Sequence, residues 1–337
     1  MSSSNVTNSY ADALSAITTT SVMFTRYWCI TMFIVGFIGH LLNLCVFTRP
    51  TLRTNPCARY FMASTIAGFG VILIVLPIRV LQFGYGRSLF IPSVFLCKFL
   101  TFLFSWLRIL PCWFIALASA DRFWCTSSSV TFRGWNSIRV SNHLIPLTTI
   151  FIAITQVPLL IFYTVSSQPV VCLGQPNLFQ QVNGFFILVI WSMIPFVAML
   201  IFGVLTIRNV RRSIRGVADV HADSNRYRRT RFIDRQLIQI ILIQSLLFMA
   251  TSAAGSIGGT FNILDDNSRK DALVLAKQGL IGNVLSFVGL LGPCISFYLC
   301  TLSSQLFRHE FLAFLRLRQE NPPEQVAHMI PMEQINA

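Results

Sequence analysis

Asp121, Arg122 and Phe123 place an acid beside a base at the end of a long apolar stretch. Arg122 comes 25 residues after Cys97, about 37 Å along a helix and enough to cross a whole bilayer. An arginine there stands at the mouth of a helix bundle. It either pairs with the adjacent aspartate or is released to meet a partner, which makes it a two-state charge element. Arg108 lies 14 residues before Arg122, about 21 Å along the same helix, and well inside the apolar stretch. An unpaired charge at that depth costs at least ~2.5 kcal/mol, so Arg108 needs a partner. Two readings stay open: recognition of an external anion, or structural pairing with Gln156, Gln244, Asn283 or the Leu107 carbonyl that Pro111 frees. Arg79 is a secondary anion-binding candidate, near enough to a span end to snorkel. Phe104, Ser105, Trp191 and Gln278 are candidates to line the same cavity. The five histidines, at 40, 143, 221, 309 and 328, are scattered, and no paired aspartates or Ser/His dyad occur in the apolar stretches. The chain is therefore not expected to be an enzyme, and no metal or cofactor is expected.

The elements that must hold these residues follow from charge spacing. The chain has 337 residues, 54% hydrophobic and 11% charged, with a mean hydropathy of +0.65. A soluble domain carries roughly 25% charged residues, so most of this surface must face lipid. Uncharged gaps lie between Arg26 and Arg49, Arg59 and Arg79, Arg235 and Asp265, and Lys277 and Arg308. The gap from Arg139 to Arg208 is long enough for two crossings with a polar loop over Ser166 to Asn177, and Lys98 to Asp121 is broken only by Arg108. The count is seven spans, with limits near 25–47, 58–83, 95–125, 141–164, 182–207, 234–263 and 274–300. Uniformly apolar runs of this length suit helices and not barrel strands. The fold class is an all-α membrane protein: a seven-transmembrane helix bundle with a short amphipathic eighth helix. The expected organisation is an extracellular segment over 1–24, the transmembrane domain over 25–300, and a cytoplasmic amphipathic helix and tail over 301–337. The polar start lacks a basic region, so span 1 is expected to act as the anchor and not as a removable signal.

Basic residues orient the bundle. Arg49, Arg53 and Arg59 follow span 1; Arg122, Arg133 and Arg139 follow span 3; nine arginines lie from Arg208 to Arg235 after span 5. The alternate loops are poor in base. The N-terminus is therefore expected outside and the C-terminus inside, in the plasma membrane. The net charge of +14 reads as this topology signal and not as nucleic-acid binding, because the arginines flank membrane spans. Topology also sorts the nine cysteines. Cys97 and Cys172 fall on the oxidising side away from the lipid core and are expected to be bridged; the other seven are expected to be reduced. Asn5-Val6-Thr7 is a glycosylation sequon on the outer side, with Asn5 the acceptor.

The Asp121-Arg122-Phe123 run, with its spacing to Cys97, resembles the Asp-Arg-Tyr motif of rhodopsin-like (class A) G-protein-coupled receptors. Pro195 in span 5 and Gly292-Pro293 followed by Tyr298, similar to a degenerate Asn-Pro-x-x-Tyr, extend the likeness. Phe307-Arg308, Phe311 and Phe314 open the amphipathic stretch. Asn55-Pro56-Cys57, Phe123 and the run from Ser296 to Phe307 resemble invertebrate receptors grouped loosely with neuropeptide receptors. The resemblance implies a receptor that binds an extracellular ligand, a neuropeptide on the narrower likeness, and activates a heterotrimeric G protein. Asp121, Arg122 and Phe123 would form the switch, with Asp234 at the start of span 6 holding Arg122 in the inactive state. There are departures. Span 2 has no Asp, Phe69 or a neighbour standing where the family carries its sodium-linked carboxylate. His40 replaces the Asn of a Gly-Asn pair, and span 6 offers Gly255, Gly258 and Gly259 in place of Trp and Pro. Lys277 stands 16 residues before Pro293, too far out to hold retinal as in opsins, and Ser286 occupies the opsin lysine's place. A multi-span transporter for a small solute is the alternative, but no span carries an acid near the bilayer midplane, where cation coupling uses one.

Overall fold

The computed structural model describes residues 2–167, 170–175, 177–216, 239–240, 242–251, 253, 271–303, 308 and 312. Helix α1 is Ser2–Phe47, α2 Pro56–Gly84, α3 Val94–Thr126 and α4 Ile138–Phe162. A hairpin of β1 (Tyr163–Ser167) and β2 (Val170–Gly174) follows, with Val165 opposite Cys172. Helix α5 runs over 177–216, and α6 is Leu242–Thr251. Helix α7, Ala272–Thr301, is interrupted between Val288 and Leu291. All but α6 are long and apolar enough to cross a membrane. α6 lies within expected span 6, whose remaining residues, Asp234 included, fall almost wholly outside the described ones. The amphipathic helix after α7 also lies outside them, apart from residues 308 and 312.

Among the described residues, the outer surface of the long helices fits lipid. Leu147, Ile150, Ile154 and Ile161 repeat along one face of α4, and each is about 60% exposed. In water, such a stripe would be an aggregation site. The ends of the helices are set locally. Asn55 caps α2, its side chain accepting from the Cys57 amide at 3.0 Å, and Pro56 follows at the first helical position. Ser93 and Ser137 cap α3 and α4 in the same way.

Two features depart from the expected limits. α1 starts at Ser2, because residues 2–35 contain neither Gly nor Pro to stop it. Its 46 residues span about 69 Å, so roughly half of it extends past a 30 Å hydrocarbon core. There Tyr10 donates a hydrogen bond to Asp271 and accepts one from the Leu273 amide, tying α1 to the start of α7. The loop expected between spans 4 and 5 is largely the β hairpin.

The bundle interior is held by close approach at small residues, as is usual where helices associate within lipid. A Cβ on Gly36 would come within 2.6 Å of Ile72, and one on Gly39 within 3.2 Å of Tyr298. At Gly68 the neighbour is His40, buried and tilted against the Phe69 ring, with Cε1 only 2.6 Å from the Cβ position. Replacing Gly68 with Ala should therefore lower the thermal stability of the purified protein by about 1–3 kcal/mol, the usual cost of overpacking. His40→Ala in the same chain should recover most of that loss. A Gly68→Ala protein as stable as the parent would mean that the imidazole moves aside freely.

Candidate functional site

Helix α3 carries a candidate site at each end. It packs against α2, α4, α5 and β1, so residues along it reach both mouths of the bundle. At the Cys97 end, Cys97 and Cys172 form a disulfide with a Cα separation of 5.6 Å, which fastens β2 to the start of α3. Thr101, one turn on, has its hydroxyl 3.6 Å from the Cys172 sulfur. Beneath the hairpin lies a cavity of about 360 Å³. Its walls come from α2 (Arg79, Gln82), the 85–93 loop, α3 (Thr101 to Ile109), the hairpin (Tyr163, Val171, Cys172) and α5 (Ile187).

Four of the six residues expected to line a pocket meet here: Arg79, Phe104, Ser105 and Arg108. Gln278 is not among the lining residues, since the cavity is bounded without α7, and the Trp191 side chain lies outside the described ones. The Arg79 guanidinium stands over the rings of Phe83 and Phe104, 5.4 and 5.8 Å from their centres. Ser105 donates to Gln156 at 2.6 Å. Two of the other amides considered as structural partners of Arg108 place their NH2 groups against other residues. Asn283 donates to Thr25 at 2.8 Å, and Gln244 lies 3.1 Å from the Cys300 sulfur. Sequence reasoning did not pick out Thr101, Tyr163, Gln82 or Ser88, whose hydroxyl and amide groups add hydrogen-bonding capacity to the walls.

At the other end, Asp121 and Arg122 are both almost fully buried and form an ion pair of 2.8 Å. Arg122 also donates to the Asn55 side chain at 3.0 Å, and Asn136 donates to Asp121 at 2.9 Å. One oxygen of Asn55 thus caps α2 and receives Arg122. The Asn55-Pro56 pair signals the cap in the sequence; nothing local signals the second bond. Phe123 packs its ring between Phe132 and Phe202, 5.8 and 5.7 Å away. Asp234 lies outside the described residues, and so does the side chain of Asn5.

Polar contacts join the helices between the two sites. Asn43 donates to Ser296 at 3.2 Å, and Gln244 also reaches the Ser296 carbonyl at 3.4 Å. Pro293 is buried, and a Cβ on Gly292 would stand 3.0 Å from the Thr251 hydroxyl, so α6 and α7 touch at the Gly-Pro step. Tyr298 donates to the Val35 carbonyl at 3.1 Å. Trp113 donates to the Ile190 carbonyl at 3.0 Å, within the wide turn Leu188–Met193 of α5. Among the described residues no cluster of His, Cys, Asp or Glu has the arrangement of a metal site.

The family described as "7 transmembrane receptor (rhodopsin family)" matches residues 39–295, which take in both ends of α3, the disulfide and the Gly292-Pro293 step. No curated protein matches the chain. The chain, with its apolar helices and its buried acid-base pair closing the third, belongs to the rhodopsin family of seven-transmembrane receptors.

Proposed function

We propose that the protein is a plasma-membrane receptor that binds an extracellular ligand in the cavity under the hairpin and activates a heterotrimeric G protein at the Arg122 end. The N-terminus then lies outside and the C-terminus in the cytoplasm, the orientation that the arginine-rich loops favour. The observation that carries this reading is the buried Asp121–Arg122 pair with its Asn55 and Asn136 contacts, on the same helix that walls the cavity. A ligand that fits one arrangement of α3 and its neighbours better shifts the population toward it. If that arrangement frees Arg122, the partner on the inner side gains a cationic contact. Asp234 is proposed as a second acid that holds Arg122 at rest. The nine arginines from Arg208 to Arg235 would form part of the coupling face, and Asn5 the outer glycan site. The resemblance to neuropeptide receptors makes a peptide the favoured ligand.

Replacing Arg122 with Ala tests the coupling half of the proposal. Ligand-dependent nucleotide exchange on a co-expressed panel of G proteins should fall to background, while the amount of receptor at the cell surface stays near that of the parent. Retained exchange in the variant would remove Arg122 from the coupling machinery.

A further inference from the structure

The cavity holds two arginines and, among the described residues, no Asp or Glu lines it. Arg79 enters from α2 and Arg108 from α3, so two neighbouring helices bring like charges into one chamber. The two guanidiniums repel each other, and their burial away from water leaves that repulsion poorly screened. Arg79 is further confined by the rings of Phe83 and Phe104. Cations retained inside membrane helices face the bundle interior and mark ligand or ion pathways. Each guanidinium offers a planar fork matched to a carboxylate, and two forks in one small chamber match two carboxylates.

We propose that the ligand group entering this cavity carries two carboxylates, one held by Arg79 and the other by Arg108. This rests on the reading of the cavity as the receptor's ligand site. A volume of about 360 Å³ is at the small end for ligand sites, so the occupant is a free dicarboxylic acid or the acidic C-terminal residue of a peptide. The two sources present the same pair of charges. The hydroxyls of Ser88 and Tyr163 on the walls serve the remaining carboxylate lone pairs.

The test uses the full-length receptor, purified in lipid nanodiscs. The probes are succinate, glutarate and adipate with their half-amides and diamides, and a short peptide ending in Glu with its doubly amidated counterpart. Binding is read as the ligand-dependent shift of the unfolding temperature. At least one diacid or the acidic peptide should stabilise the receptor, its half-amide should bind about ten- to a hundredfold more weakly, and the fully amidated form more weakly still. Arg79→Gln and Arg108→Gln should each erase most of that discrimination, whereas Arg108→Lys, which keeps the charge, should retain part of it. A response to the peptide alone assigns the site to a peptide terminus; a response to small acids alone assigns it to a free diacid. No stabilisation by any acid, equal stabilisation by acid and amide, or full binding in the Arg79→Gln/Arg108→Gln double variant would overturn the inference. The receptor proposal fails separately. Acids that bind through both arginines but never trigger nucleotide exchange would sink signalling and leave the site. A neutral agonist indifferent to both substitutions would do the reverse.

Discussion

Asp121→Ala should raise ligand-independent G-protein activation and lower the stability of the purified receptor by about 3–5 kcal/mol, the cost of leaving a buried charge without its counter-ion. The ion pair is 2.8 Å long and both side chains are almost wholly out of solvent, so water cannot compensate for the missing carboxylate. Asn55 would remain as an acceptor for Arg122, but a neutral amide oxygen supplies a weaker bond than a carboxylate. Asn136 would lose its side-chain acceptor at the same time. The arginine then gains by moving outward to solvent or to a partner, which is the displacement proposed for activation. Asp121→Asn should be milder on both counts, since it keeps an acceptor for Asn136. Adding Arg122→Ala to Asp121→Ala should recover part of the stability while eliminating the raised activity, because no orphan charge is left. Thermal unfolding and basal nucleotide exchange, measured on the same preparations, decide the matter. A loss below about 1 kcal/mol would mean that Arg122 finds another partner at no cost.

The long-range frame of the Asp121–Arg122 pair was legible in the sequence, and its immediate surroundings were not. The 25-residue interval from Cys97 to Arg122 places the two residues at opposite mouths because helical rise is constant, and charge gaps locate the other spans for the same reason. Asn55 and Asn136 meet the pair through hydrogen bonds between segments 67 and 15 residues apart, which no local pattern encodes. The same holds for Gly68. A glycine within an apolar helix looks like a weak point, and only the fold shows His40 occupying the space of the missing Cβ. Arg108 was separable as an anomaly by its depth in an apolar run, and Arg79 only as a cation near a span end, yet their sharing of one cavity depends on how α2 and α3 pack. Gln278 failed as a lining residue because a position along a span fixes depth and not which neighbour the side chain meets. α1 outran its expected start because hydropathy marks where a chain enters lipid, whereas the helix itself ends only where something breaks it.

Replacing both Cys97 and Cys172 with Ser should cost about 4 kcal/mol of stability, most of the surface expression and the greater part of ligand potency. The cysteines are 75 residues apart, so the crosslink removes a large share of the freedom of the unfolded chain. Its local consequence is more selective. The hairpin is a two-stranded sheet, a unit with little stability of its own, and the disulfide fastens it to the start of α3. Val171 and Cys172 themselves wall the cavity, so a released hairpin would open the chamber and admit water around Arg79 and Arg108. Higher dielectric weakens whatever holds an anion there. The Asp121–Arg122 pair sits at the far end of α3, beyond the reach of this change. In receptor that still arrives at the surface, maximal activation should therefore survive better than potency. Treating the intact wild-type receptor with a membrane-impermeant reductant should reproduce the loss of potency, because the remaining seven cysteines are unbridged and have no disulfide to lose. Equal potency before and after reduction would show that the hairpin holds its place by packing alone.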